Sequence, residues 1–480
     1  MNLSIGGLWD VIHPIPEHLD VHQRVYQDLV QNTDKTFYCF GDFPPLKHHP
    51  YFMKPHHVKE YFDAYIKHFN LRPHFKFGRT VTVIEKASDY ETSGKWTVTS
   101  VDSRTKDDRQ NEDFDGVLMC QGFSEKPRWP DPIPNQQTFK GSIIHAADFW
   151  SANFYRGQTV LILGSGISAM DIACILAANG AKMVYVVARN GVWILPRYSS
   201  DRHSWEGIFT NIDYRNEIPS NVIERLEEYV NKKYDHSKLG LVPDRPFGTC
   251  YTAVQDDADK WILNGSINVV KSTIASFTSN GVQLTNGQIL EVDSCIWATG
   301  FADTSLSLIK DQQLNTGDAN HKRRWYRMWY PLDQEHPTLF YINNFYFFGI
   351  NVGLAETHAR AACGVLSGRL ALPDKTTLEK ELEESVETSL KNHGKPLPPF
   401  IDAMDQMLEL SAFIGCKPDW AEIERRSPEV ASSCRFYLPA HFRLLGPHSN
   451  WDVASQMIIN HEANGFSATQ IQWTPRSKQK

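Results

Sequence analysis

No two of the eight cysteines, Cys39, Cys120, Cys174, Cys250, Cys295, Cys363, Cys416 and Cys434, have the spacing of a metal-ligand or redox pair. That disfavours a disulfide framework, points to reduced thiols in a cytosolic setting, and gives no reason to expect a metal. No signal-peptide pattern is read in the sequence, so none is expected, and no apolar run approaches the ~20 residues of a membrane helix. Its most apolar stretch, 160–187, is interrupted by Asp171 and Lys182. An excess of positive charge is also missing. Forty-nine Lys and Arg against 56 Asp and Glu leave a net charge of −7, so there is no general attraction to nucleic acid. The basic residues at the tail, Arg476, Lys478 and Lys480, read as a solvated end. No low-complexity linker divides the 480 residues, which suffice for two or more domains with a large core.

What is present is a strand, a turn and a helix. The run VLIL at 160–163 is apolar and of strand type, and Ala169, Ile172, Ala173, Leu176 and Ala177 recur behind it at helical spacing. Between them Gly164, Gly166 and Ala169 form GxGxxA. In a dinucleotide site the first glycine permits the tight turn and the second lets a pyrophosphate approach the backbone. The third small residue lets helix and strand pack closely, and the helix N-terminus offers free N–H groups to the phosphates. The strand that follows, 183–188, ends in Arg189, where NAD sites carry an acidic residue. An arginine suits a 2′-phosphate, so NADPH is the expected nucleotide.

The chain also repeats a pattern. Strand-type runs at 81–85, 95–100 and 116–120 lead to DGVLMCQG at 115–122. Runs at 267–270, 282–284 and 288–291, with turns at Asn280-Gly281 and Asn286-Gly287, lead to DSCIWATG at 293–300. Both copies place an Asp seven residues before a Gly. Two copies imply two nucleotide-binding domains. The second has its glycine loop at Gly164; the same separation counted back from Gly122 falls before Met1.

Seven ordered segments carry a family resemblance: IGGLWD (5–10), QNTDKTFYCFGDFP (31–44), FKGSIIHAADF (139–149), RNGVWILPR (189–197), CIWATGF (295–301), GLAETHAR (353–360) and FRLLGP (442–447). They span nearly the whole chain. The third fits FxGxxxHxxx(Y/F), and the chain resembles the flavin-containing monooxygenases. The related Baeyer-Villiger enzymes place Trp at the end of that fingerprint, where Phe149 stands here, although Trp150 follows.

The resemblance implies FAD and NADPH as cofactors. In such enzymes NADPH reduces FAD, oxygen adds as a flavin hydroperoxide, and a soft nitrogen or sulfur nucleophile takes the distal oxygen. It implies that Asn32 is the chemically important side chain, beside the flavin and nicotinamide, with Gln31 and Thr33 flanking it. Taken alone, Asn32 could be a turn residue of QNTDK. Gly6, Gly7, Leu8 and Trp9 match the segment along the adenosine and ribityl portions. Ser168, Ala169, Met170 and Asp171 are expected at the NADPH pyrophosphate, and Glu356, with Thr357 and Arg360, at a helix start near the flavin ring. His145 is expected to connect domains. Two positions depart from the family pattern, Gln121 before the glycine of the first copy and Asn190 where many relatives carry a second basic residue. The family's flavin glycine loop lies upstream of IGGLW, so the chain is expected to lack that loop and its strand, and to be inactive or flavin-free as it stands.

The expected fold is α/β, with two Rossmann-like dinucleotide-binding domains, the first lacking its initial strand and glycine loop. The expected boundaries are 1–152 and 325–480 for a discontinuous flavin domain and 153–324 for the NADPH domain, with a helical insertion at about 199–263. The expected activity is NADPH- and O2-dependent oxygenation of small molecules. The alternatives are Baeyer-Villiger oxygenation and a non-catalytic NADP(H)-binding protein. A cytoplasmic location is expected, with peripheral attachment to the endoplasmic reticulum as its alternative; homo-oligomer formation is left open.

Overall fold

The computed structural model describes residues 5–10, 25–122, 124, 126–198, 204, 207, 210–212, 227–228, 230–247, 252–302, 307–311, 314, 324–343, 347–393, 401–434 and 436–461. Much of the expected helical insertion and all of the basic tail lie outside them.

Helix α1 (Pro55–His68) opens on a proline, whose fixed φ is preorganised for a first helical position, and buries Val58 and Tyr61. It is followed by an antiparallel meander, β1 (Arg79–Lys86), β2 (Trp96–Asp102) and β3 (Gln110–Phe114). Trp96 anchors the meander, being fully buried with its indole N–H donated to Thr338 Oγ1 at 3.0 Å. The chain then enters β4 (Val117–Met119).

The nucleotide lobe is built from β5 (Ser142–His145), β6 (Thr159–Leu163), α2 (Ile167–Ala178), β7 (Met183–Ala188) and β8 (Ile267–Lys271). A second meander, β9 (Ile274–Thr278), β10 (Gly281–Leu284) and β11 (Ile289–Glu291), leads into β12 (Ser294–Trp297). Five strands form one parallel sheet in the order β8-β7-β6-β12-β5, the doubly wound arrangement with the glycine-loop strand at its centre. Alternation sorts its residues. Val160 and Ile162 face a core shared with α2, while Leu161 faces Phe277, Val282 and Trp297 of the meander side. Strands covered on both faces read as continuous apolar runs, which is why this region was the most hydrophobic in the chain. The sheet reaches back to Ser142, N-terminal of the expected boundary at 153.

The last part supplies β13 (Leu339–Tyr341), α3 (Asn351–Leu366) and α4 (Ala403–Ile414). β13 runs parallel to β4, giving the first lobe a parallel pair behind its own meander. Both copies of the repeat therefore fold as meander, Asp, parallel strand. In the second copy Asp293 does structural work, its carboxylate accepting from the Thr159 N–H at 2.7 Å while its own N–H donates to Thr159 O at 2.8 Å. In the first copy Asp115 is exposed and faces Lys95 at 3.7 Å.

Two strand expectations differ from the structure. β3 was not expected, because QNEDF is polar and its side chains are exposed or half-exposed on an edge strand, where charge replaces alternation. The run at 267–270 belongs to the parallel sheet, and β9 takes its place in the meander. No helix among the described residues is long and apolar enough to cross a membrane.

Candidate functional site

At its first glycine the turn after β6 has no room for a larger residue. Gly164 has φ +116°, and a Cβ there would stand 2.5 Å from Ala298 O. Gly166 is the opposite case. It is the N-cap of α2, makes no side-chain cap, and an added Cβ would meet nothing within 4 Å. The space beside Gly166 at the N-terminus of α2 is therefore open, as an approaching pyrophosphate requires. Ala169 is fully buried beneath the turn, Ser168 is exposed beside it, and Met170 is buried, so it can contribute only through its backbone. Arg189 stands exposed just past β7.

Asp171 departs from its expected place. Its carboxylate turns inward, accepting from Tyr26 OH and Gln255 Nε2, with Arg197 Nη2 at 3.6 Å. Burial pushes this carboxyl up, while the Arg197 charge and the hydrogen bonds oppose the shift. The reason lies in the helix around it: α2 is buried on nearly every side, so only its first turn reaches the nucleotide space.

Arg197 is the residue that the sequence did not single out. It is 6% exposed and joins the two lobes. Its Nε donates to Gln31 O at 3.1 Å, its Nη2 to Val30 O at 3.1 Å and to Asn32 Oδ1 at 3.3 Å, and its Nη1 to Asp256 at 3.1 Å. The guanidinium thus fixes which way the Asn32 amide points, leaving the NH2 as the outward donor. The turn in QNTDK is made by another residue. Asp34 Oδ1 accepts from the Thr36 N–H at 2.8 Å and the Thr36 hydroxyl at 2.5 Å, which releases Asn32 from that duty. Gln31 is buried, its N–H donated to Met53 O at 2.9 Å, and Thr33 is half-buried.

Gly6 and Gly7 both have positive φ, 126° and 54°, and begin a 3-10 turn in which Trp9 N–H donates to Gly6 O at 2.9 Å. Leu8 is exposed, and Trp9 packs edge-on against Tyr38 at 6.0 Å. Burial pushes the Tyr38 hydroxyl up to about 12. Across the lobe, Ile350 leaves the N-terminus of α3 without a side-chain cap. The side-chain oxygens of Gln31, Asn343 and Asn351 are buried and have no hydrogen-bond partner among the described residues. Buried oxygens are ordinarily satisfied, so these positions suit a ligand with N–H and O–H donors, as a flavin and its ribityl chain have.

Glu356 does not pair with Arg360. It accepts from Arg443 Nε at 2.5 Å and from the Gly41 N–H at 2.7 Å, while Arg360 donates to Phe442 O and Pro447 O. Arg443 also reaches Asp42 at 3.1 Å. These side chains border a cavity of about 710 Å³ along α3, walled by Ala355, Ala359, Phe40 and Tyr65. Burial and the neighbouring Glu356 raise the Asp42 carboxyl to about 6, against the pull of Arg443. Between about pH 4 and 6 the native state holds a proton that the unfolded chain has released, so this group's contribution is complete at low pH and is lost as pH rises through 6. Asp42→Asn should therefore gain on the wild type by on the order of 2 kcal/mol between pH 4 and 7 in urea melts. A difference that stays flat with pH would mean that Asp42 is ionised throughout.

The fingerprint at 139–149 serves packing. Gly141 lies so close to β12 that a Cβ would stand 2.2 Å from Asp293 O. His145 Nδ1 accepts from the Ala147 N–H at 3.1 Å, capping a 3-10 turn, and Phe149 is buried between Tyr26 and Tyr155.

The family model described as flavin-binding monooxygenase-like matches residues 2–480. The N-oxide-forming dimethylaniline monooxygenase 2 of Rattus norvegicus is 30% identical over 472 residues, covering 96% of this chain and 85% of its own. Flavin-containing monooxygenase 2 of Homo sapiens is 28% identical with the same coverage. Among solved structures, an S-allyl-L-cysteine S-oxygenase from Allium sativum matches with a TM-score of 0.61 at 19% identity, covering 89% of this chain and 87% of that one. Cyclohexanone monooxygenase from Rhodococcus sp. Phi1, bound to NADP+, matches with a TM-score of 0.62 at 15% identity, covering 86% and 91%. These structures share the fold, including its two dinucleotide-binding domains of Rossmann type.

Proposed function

The chain belongs to the flavin-binding monooxygenase-like family, enzymes that work with FAD and NADPH, and from that premise we propose that it transfers one atom of O2 to a soft nitrogen or sulfur centre of a small molecule. FAD reduced by NADPH supplies the oxygen activation when bound. The protein's part is to hold, orient and shield. The turn at Gly164 and Gly166 and the first-turn N–H groups of α2 receive the NADPH pyrophosphate, with Ser168 at the edge and Arg189 on the 2′-phosphate. Gly6 to Trp9 and the start of α3 line the flavin. Asn32 presents its NH2 toward the reacting oxygen.

The observation that supports this reading best is the bond from Arg197 to Asn32 Oδ1, which sets the amide as a fixed donor. Preorganised donors act without reorientation at the moment of reaction. Incubation with NADPH, O2 and either an alkyl aryl sulfide or a cyclic ketone tests it. Sulfoxide without lactone is expected; lactone as the main product would transfer the chain to the Baeyer-Villiger reaction.

Arg189 gives a separate check. A charge-assisted hydrogen bond to the 2′-phosphate contributes roughly 1.5–3 kcal/mol. Arg189→Ala should therefore raise the NADPH Michaelis constant about tenfold or more and leave that for NADH unchanged. Equal constants for NADPH before and after the change would remove the role.

A further inference from the structure

The loop before α1 and the helix itself bring two histidines and a glutamate together outside the nucleotide and flavin residues. His48 Nε2 lies 3.0 Å from Glu60 Oε1, and His49 Nε2 lies 3.1 Å from Glu60 Oε2. The three prospective ligand atoms are all within 4.8 Å of one another. One carboxylate thus spans two imidazole nitrogens of adjacent residues. The His57 ring is 5.3 Å from that of His49, and its Nδ1 already accepts from the Lys54 N–H at 3.2 Å, which leaves Nε2 as its second nitrogen.

We propose that His48, His49 and Glu60 bind a divalent transition cation of the zinc class, with water or His57 completing its coordination. Two imidazoles and a carboxylate are a donor set that Zn²⁺ and its neighbours accept. Metal–nitrogen and metal–oxygen bonds of about 2.0–2.2 Å put tetrahedral ligands roughly 3.4 Å apart, close to the present nitrogen–oxygen separations. The adjustment falls on side chains free to make it. His48 and Glu60 have side-chain exposures of 63% and 49%, whereas that of His49 is 0% and is the fixed corner. Its backbone is fixed too, since Lys35 Nζ donates to His49 O at 2.9 Å and to Lys47 O at 3.4 Å. That ammonium opposes a second cation, and the Glu60 carboxylate and nearby Asp34 offset it.

The position gives the cation a consequence. The same loop is tied to the strap that carries Asn32, through the Gln31 N–H to Met53 O at 2.9 Å and the Lys35 N–H to Tyr51 O at 2.8 Å. A cation joining the loop to α1 stiffens the wall behind that strap. The site stands on its own geometry and is independent of the oxygen-transfer reading.

The full chain, stripped with a chelator, is titrated with ZnCl2 by calorimetry and with CoCl2 by visible absorption. One equivalent of Zn²⁺ should bind, Co²⁺ should give the d–d bands of a low-coordinate site, and Tm should rise by a few degrees. His48→Ala and Glu60→Gln should each weaken this equivalent by at least about tenfold, the effect of losing even an outer-shell partner. They should also abolish the Tm rise. Both positions are solvent-facing, so the variants keep the fold; His49 is left intact because its burial makes replacement disruptive. Absence of binding, or the same stoichiometry and affinity in wild type and both variants, overturns the proposal.

Discussion

Asn32→Ala is expected to oxidise NADPH at close to the wild-type rate and to release hydrogen peroxide in place of oxygenated product. The loss of product should be about 10²-fold, the usual effect of deleting one preorganised donor. The cause is specific to the NH2 group. Asn32→Asp keeps an oxygen for Arg197 and replaces the donor with an anionic acceptor, so it should uncouple to at least a similar degree. Peroxide and product are measured in the same reaction by a peroxidase assay and chromatography. A product-to-peroxide ratio that survives either change would reduce Asn32 to a spacer.

The second large effect belongs to Arg197. Removing it strands the Asp171 carboxylate, already pushed up by burial, in a pocket with Tyr26 and Gln255. Breaking one partner from a buried ion pair costs about 3–5 kcal/mol, so Arg197→Ala should unfold at markedly lower urea. Arg197→Lys separates stability from positioning. Its single ammonium can stay beside Asp171 or Asp256, but it cannot also reach Val30 O, Gln31 O and Asn32 Oδ1, which the planar fork of arginine serves together. The lysine variant should recover most of the stability and remain uncoupled. Recovery of full coupling with lysine would show that only the charge matters.

Much of the nucleotide lobe was legible because its signals are local. The run before Gly164, the small residue at Ala169 and the helical spacing behind it all describe one continuous strand, turn and helix, and the sheet confirms them together. The repeat was legible for the same reason, down to the aspartate that precedes the parallel strand of each copy. Other features depend on facts that a sequence does not print. RNGVWILPR was recognised as a segment, yet nothing in it tells that Arg197 is buried; three fully covered residues, Trp193 to Leu195, before it were the available hint. Asp171 is expected at the phosphate from its place in the nucleotide motif, and the packing on nearly every side of α2 turns it inward instead. Glu356 and Arg360 have helical pairing distance but separate partners, because Arg443 arrives from residues far along the chain and takes Glu356. β3 escaped because an edge strand has only half its bonds to make and no face to bury.

The clasp between Asp293 and Thr159 also sets a timetable. Its two residues are 134 positions apart, and the carbonyl that shapes the Gly164 turn belongs to Ala298, just past β12. On the ribosome, β6 and α2 emerge long before β12 exists to lie beside them. At roughly 5–20 residues per second the gap is on the order of ten seconds. Throughout it the central strand of the lobe has an open edge, and the nucleotide turn lacks the neighbour that defines it. This lobe is therefore one place where a nascent chain needs a chaperone, and slow codons placed between residues 188 and 293 should hold its sheet open longer than slow codons placed after residue 300.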